Sequence, residues 1–116
     1  MVPEQEAVVR LALTLVAHRG QIKELATELR VLMGQALGKP GLVDCQLSID
    51  FVDPHRLHYA EEWRTERDLR NQIPTGRFHR LIALLEAAAE RPRFDVQLVI
   101  RSDGLDFVEE ALRSQS

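Results

Sequence analysis

The order of amphipathic segments in this chain predicts an α+β sandwich of ferredoxin-like βαββαβ topology. It has a four-stranded antiparallel sheet and both main helices on one face. Three observations carry this. Residues 42–51 alternate at strict period two, with Val43, Cys45, Leu47, Ile49 and Phe51 set against Asp44, Gln46, Ser48 and Asp50, the pattern of a strand with one buried face. Residues 22–36 place Ile22, Leu25, Ala26, Leu29, Leu32, Met33 and Ala36 on one stripe of helical period. Asp53-Pro54-His55 then turns the chain between two strand patterns, and a hairpin flanked by two right-handed crossovers gives this topology.

Each element has a local reason. The first strand is expected over residues 7–18, with Val9, Leu11, Leu13, Leu15 and Ala17 on one face and Arg10, Ala12, Thr14, Val16 and His18 on the other. Gly20 opens the first helix, and Gly38-Lys39-Pro40-Gly41 ends it, because glycine suits a left-handed cap and proline cannot continue a helix. The third strand runs to Arg64. Thr65 with Asp68 forms a weaker variant of the capping box for a short helix over residues 66–73, which presents Leu69 and Ile73. Pro74-Thr75-Gly76 breaks that helix, and a second segment resumes at Arg77 with Phe78, Leu81, Ile82, Leu85, Ala88 and Ala89 on one face. The fourth strand is expected over residues 94–101 with Phe94, Val96, Leu98 and Ile100 inward. Ser102-Asp103-Gly104 turns the chain into an extra amphipathic helix over residues 105–113. The whole of residues 1–116 reads as one domain with its core at 7–101.

Composition excludes several function classes. The net charge of -3 argues against nucleic acid as a partner, since phosphate binding needs a basic face. No apolar run is long enough to span a bilayer, the first residues are acidic rather than signal-like, and the single Cys45 fits a reducing compartment, so a cytoplasmic protein is expected. Paired-cysteine zinc spacings and glycine-rich phosphate loops are absent, and no metal or organic cofactor is expected. The second sheet face carries Arg10, Thr14, Asp44, Ser48, Asp50, His58, Glu62, Asp95 and Arg101. Both charge signs are present, so this face is expected to meet its own copy in a homodimer packed sheet to sheet.

The candidate site lies within residues 57–85, which hold the only Trp, the only Tyr and two of the four His. Tyr59, Glu61 and Trp63 share the inward face of the third strand, and Phe78 faces them from the helix. An inward carboxylate among aromatics is either paired or protonated. Arg67, Arg77 and Arg80 are its possible partners, and the alternative is a catalytic base. Trp63 and Tyr59 either pack the core or meet a ligand ring. His79 is the other base candidate, because imidazole titrates near neutral pH, although its helical phase also fits a surface position. The break at residues 74–76 is expected to form the rim of a pocket floored by Tyr59, Glu61 and Trp63 and walled by Phe78.

From about Val8 to Ile100 the chain resembles the antibiotic biosynthesis monooxygenase domain family. The resemblance lies in the Pro40-Gly41 step into strand two, Asp53-Pro54 in the hairpin, Glu61-x-Trp63 leading into a helix, and Phe78 after the broken helix. It implies a dimeric α/β-barrel of two ferredoxin-like units. It also implies cofactor-independent oxygenation of a quinol-like or phenolic small molecule, with His79 or Glu61 as base and Tyr59, Trp63, Phe78 and Arg77 against the substrate. Family members often carry His directly before the Phe, where this chain has Arg77 and then His79 one place beyond. The haem-degrading branch uses Asn, Trp and His at places where Arg10 or its neighbours, Gln72 and Ile82 stand here, so the resemblance does not extend to haem degradation. A non-catalytic ligand-binding or dimerising module of the same fold is the competing reading.

Overall fold

The computed structural model describes residues 5–114. Its elements are β1 (Gln5–Val16), α1 (Ile22–Ala36), β2 (Leu42–Ile49), β3 (Arg56–Trp63), α2 (Glu66–Arg70), α3 (Gly76–Glu86), β4 (Arg93–Ser102) and α4 (Gly104–Arg113). The sheet order is β2-β3-β1-β4, and every neighbouring pair is antiparallel. This is the expected α+β ferredoxin-like sandwich, with a broken second helix and an added C-terminal helix.

The register explains the core. Leu11 faces Glu61, Leu13 faces Tyr59 and Val9 faces Trp63 across β1 and β3. These positions lie on one pleat face, against Leu29 and Leu32 of α1 and Phe78, Leu81 and Leu85 of α3. Trp63, Tyr59, Leu11 and Leu81 are among the largest fully buried side chains.

Capping residues fix where the helices begin. The Thr65 hydroxyl accepts a hydrogen bond from Asp68 N, as its spacing predicts. Thr75 caps α3 by accepting from Phe78 N, so that helix starts at Gly76, inside the segment that reads as a break. Asp103 caps α4 in the same way, accepting from Leu105 N and Asp106 N.

Three expectations need correction. β2 closes at Ile49, and Val43, Ile49 and Phe51 of the face read as buried are exposed, because the register is irregular between Leu42 and Asp44 and the chain has left the strand by Phe51. Ile73 is exposed, because α2 closes at Arg70, one turn earlier than its pattern implies, and leaves Leu69 as its buried residue. Phe94, Val96, Leu98 and Ile100 are not in the core. They pair with Leu13, Leu11, Val9 and Ala7 and share their sheet face, yet Leu98 is 72% exposed. The physical reason is coverage: α1 lies over β2 and α2 over β3, which leaves the β4 edge bare. Leu105, Val108 and Leu112 of α4 are exposed as well. The radius of gyration is 17.0 Å, against about 13 Å for a compact domain of this length. β4 stays paired along β1, and its bare inner residues together with those of α4 form an apolar edge.

Gly41 holds the entry to β2. Its φ is +86°, and a Cβ there would collide with the Asp68 side chain. Its carbonyl accepts from Arg64 N at 2.7 Å, tying the start of β2 to the end of β3. Gly41→Ala is expected to lower unfolding stability by about 1–2 kcal/mol from backbone conformation alone, with the displacement of Asp68 adding to it. Denaturant unfolding at unchanged m value checks this.

Candidate functional site

Glu61 is the centre of the candidate site. Period-two alternation on β3 sends Tyr59, Glu61 and Trp63 to the same face, towards the helices. The Glu61 side chain is completely buried, and three neighbours satisfy it. Tyr59 donates its hydroxyl hydrogen to Oε2 at 2.5 Å, and Trp63 donates Nε1–H to Oε1 at 3.0 Å. Arg77 forks both oxygens, with one guanidinium nitrogen 2.5 Å from Oε2 and the other 3.3 Å from Oε1.

The helix break delivers that arginine. Pro74 cannot continue α2, and Thr75 starts a new helix by capping Phe78 N while donating its hydroxyl to Gln72 O at 2.6 Å. Arg77 then falls in the first turn of α3 with its side chain 5% exposed. Gln72, buried in the turn between the helices, accepts a further hydrogen bond from the guanidinium at 3.2 Å. Thus Glu61 is paired with Arg77, and not with Arg67 or Arg80. The latter instead meets Glu28 on α1.

The electrostatics follow from burial and proximity. Burial, reinforced by the Glu61 charge, pushes the Tyr59 hydroxyl far above the usual tyrosine range. Burial also raises the Cys45 thiol, which lies 3.5 Å from the Tyr59 hydroxyl oxygen. For Arg77, burial opposes the charged form, but the Glu61 hydrogen bonds and charge outweigh it and the net direction is upward. The cluster therefore contains one carboxylate, one guanidinium and a phenol that keeps its proton.

The structure brings Tyr59, Glu61, Trp63 and Arg77 into one hydrogen-bonded group, with Phe78 buried in the adjoining core. His79 stands apart, exposed on α3 and absent from these hydrogen bonds. The space expected to be floored by Tyr59, Glu61 and Trp63 is occupied by the Arg77 guanidinium. Two partners in this cluster carry no recognisable sequence signal. Gln72 reads as an ordinary polar residue after a short helix, and Cys45 as a small core residue.

Open space lies elsewhere. A cleft of about 360 Å³ runs between α1 and α3, lined by Thr27, Glu28, Val31, Leu32, Gln35, Gly76, Arg77 and Arg80. A smaller depression of about 260 Å³ sits on the outer sheet face, bordered by Arg10, Thr14, Gln46, His58, Arg93 and Asp95. There His58 bridges Asp50 at 2.8 Å and Thr14 at 3.2 Å. The hydrogen bond from His58 holds the Asp50 carboxyl below its ordinary value. Glu62 is buried between Arg10 and Arg101 on the same face. Among the described residues, no group of three or more His, Cys, Asp or Glu could hold a metal ion, and no helix is long and apolar enough to cross a membrane.

No family profile matches the chain, and no curated protein matches it in sequence. Solved structures do match its architecture. The Pseudomonas aeruginosa protein PA3566 is 26% identical, with a TM-score of 0.69 over 81% of this chain and 95% of its own. The Shewanella oneidensis protein SO0527 is 14% identical, with a TM-score of 0.72 over 87% and 98%. A structure of an antibiotic biosynthesis monooxygenase is 22% identical, with a TM-score of 0.61 over 82% and 97%. The fold is that of the antibiotic biosynthesis monooxygenases.

The buried phenol sets a pH limit on the fold. Because the folded-state pKa of Tyr59 is raised, its contribution to stability is fully present below the unfolded value of about 10 and is lost as pH rises above it. Tyr59 is the only tyrosine. The tyrosinate absorbance band is therefore expected to appear only together with alkaline unfolding, and Tyr59→Phe is expected to flatten the alkaline slope of stability. A pH series of denaturant melts followed by absorbance checks both.

Proposed function

We propose that this chain is a cofactor-independent monooxygenase acting on a quinol-like or phenolic small molecule. The observation that carries the reading is Glu61, a buried carboxyl group held among aromatic side chains inside a monooxygenase-type fold and paired with Arg77. Cofactor-free oxygenation needs an electron-rich ring that gives its own electrons to oxygen. The protein has to exclude water and take a phenolic proton. For a dihydroxy-aromatic substrate, one oxygen atom enters the ring and the other leaves as water. The ring is oxidised to a hydroxyquinone, and no external reductant is required.

Within this proposal Glu61 is the base and Arg77 its gate. Glu61 accepts a proton only when the Arg77 guanidinium turns part of its hydrogen bonding elsewhere, for which Gln72 already supplies one acceptor. Tyr59 and Trp63 hold the carboxylate in place while that exchange occurs. His79, exposed on α3, is the alternative base for a substrate that approaches from the helix surface. The closed Glu61–Arg77 pair is also the specific observation that favours a second reading. A domain whose interior is sealed in this way serves equally as a non-catalytic ligand-binding or dimerisation module.

Oxygen uptake separates the two. Dihydroxy-aromatic compounds supplied with oxygen are expected to be consumed faster with the folded protein than with a heat-killed control, with coloured quinone as product. Glu61→Gln is expected to lower that turnover by about 10²–10⁴-fold. No uptake across such a panel would leave the module reading in place, and turnover unchanged in Glu61→Gln but lost in His79→Ala would move the base to His79.

The assembly proposed is a homodimer joined through the sheet faces. Its support is the mixed charges of the outer face, where Glu62 Oε1 is buried without a hydrogen-bond partner. Sedimentation velocity at micromolar concentration is expected to give a dimer, and Ala12→Glu with Gln97→Glu, both on the outer face, to shift it towards monomer. A wild-type monomer under those conditions would sink the assembly.

A further inference from the structure

We infer that α4 is an exchanged helix: in a pair of copies, α4 of each lies on the bare inner face of β4 of the other. Two surfaces of one chain each lack what the other supplies. On β4, Phe94, Val96, Leu98 and Ile100 stand beside Leu13, Leu11, Val9 and Ala7 of β1, on the sheet face that the helices cover elsewhere. Yet Val96, Leu98 and Ile100 are each more than half exposed. α4 is the reverse case. At about 100° per residue, Leu105, Phe107, Val108, Ala111 and Leu112 fall on one half of its circumference, and Asp106, Glu109, Glu110 and Arg113 on the other. None of its residues is buried. A helix this short is marginal in water by itself, and a stripe this wide is the kind that packs on a sheet. β4 lacks a helix, and α4 lacks a sheet.

The connection decides which copy supplies the helix. Only Asp103 stands between β4 and α4. Its backbone sits at φ −59° and ψ 125°, and its side chain accepts from Leu105 N and Asp106 N, which fixes the direction in which α4 starts. Laying α4 back along its own strand would require the chain to reverse, and a single residue held in this way does not reverse it. Short connections of this kind favour exchange between copies. Area agrees. The eight large apolar side chains of the two surfaces, at roughly 100 Å² each, offer about 800 Å² per copy, the share one partner brings to a stable interface. Reciprocal exchange closes on itself and leaves no apolar edge to recruit a third copy. A lipid surface fits poorly, because the polar half of α4 carries three acidic residues against one basic, the opposite of an interfacial helix. The exchange is separate from assembly through the outer face, which lies on the other side of the sheet. It also bears on the interior. Val96 is in register with Leu11, and Leu11 with Glu61, so the exchanged helix would close the open flank of the core beside the Glu61 cluster.

Disulfide cross-linking of the full chain tests this. Cys45→Ser removes the native thiol. One chain then carries Leu98→Cys, and a second, isotope-labelled to differ in mass, carries Val108→Cys. Refolded together at micromolar concentration and oxidised, they are expected to form a disulfide joining position 98 of one to position 108 of the other, a bond that needs the two backbones within about 7 Å. Adding Leu105→Glu and Leu112→Glu to the second chain places charge on the apolar stripe and is expected to lower the yield by at least about tenfold. Both positions are exposed in the single copy, so its own core is left intact. Absence of the 98–108 linkage, an undiminished yield in the glutamate variant, or a disulfide formed within a single chain carrying both cysteines would each overturn the exchange, the last by placing α4 on its own strand. Co-sedimentation with vesicles of anionic phospholipid that suppresses the linkage would overturn it in favour of a lipid surface. A dimer in sedimentation without the linkage would overturn the exchange and leave the outer-face assembly standing. The linkage persisting in chains that also carry Ala12→Glu with Gln97→Glu would support the exchange whatever becomes of the outer face.

Discussion

A carboxylate with no access to water governs the architecture around it. Moving Glu61 into the space between sheet and helices carries a desolvation penalty of several kcal/mol, which only an opposite charge and further hydrogen bonds can offset. Every feature nearby serves that requirement. β3 supplies a phenol and an indole on the same pleat face as Glu61, two residues to either side. The chain then breaks its helix, restarts it at Thr75, and so brings a guanidinium down onto both carboxylate oxygens. Such a pair adds little net stability over a well-packed apolar core, but it makes the local geometry unforgiving, because either charge left alone is strongly unfavourable. The broken helix is thus a consequence of where Arg77 must go.

Much of the fold was legible in the residues. Periods of two and 3.6 located β2 and α1, Pro54 located the hairpin, and Thr65 with Asp68 located α2. What periodicity cannot convey is coverage. Phe94, Val96, Leu98 and Ile100 alternate as a core strand would and do share the face of Leu11 and Leu13. Whether that face is buried depends on how far the helices reach across the sheet, a property of helix placement that the strand's own sequence does not encode. The same limit applies to the site. Tyr59, Glu61, Trp63 and Phe78 were identifiable as a cluster from strand phase and aromatic content. Arg77 stood out only as one arginine among several in residues 64–80. Choosing it over Arg80 required the phase of α3, which Thr75 sets by starting the helix at Gly76. Gln72 was invisible for a simpler reason: a neutral amide in a turn has no pattern to betray that it is buried against a guanidinium.

The two faces of the sheet divide the labour. The inner face concentrates its polarity in one sealed cluster and is otherwise apolar. The outer face spreads charge across Arg10, Asp50, His58, Glu62 and Arg93 in pairs, partly exposed and close enough to water to be screened. Glu62 is the exception. It follows Glu61 directly, so strand alternation sends it to the opposite face, where it is nearly as buried but is met by two arginines, one from the adjacent β1 and one from β4 beyond it. Two consecutive carboxylates are therefore neutralised by arginines from different elements: Arg77 of α3 on one side, Arg10 of β1 and Arg101 of β4 on the other. β3 is fixed in register by its charges as well as by its apolar residues, since a one-residue slip would exchange the two environments.

Arg77 joins the interior to the surface. Its terminal nitrogens belong to the Glu61 cluster, while its side chain also borders the open α1–α3 cleft. A group placed this way couples any change in the cleft to the carboxylate through one rigid, planar fork, because a guanidinium cannot turn at Nε without also moving its hydrogen bonds to Glu61 and Gln72. Lysine would not transmit such a change in the same way, since an ammonium on a flexible stem makes no two-point contact. The coupling also runs inward. Trp63 and Tyr59 hold the carboxylate from the strand side, so a shift of Arg77 would leave those two hydrogen bonds in place and remove only its own. The sealed state seen here and a state with a free carboxylate thus differ by the motion of one side chain.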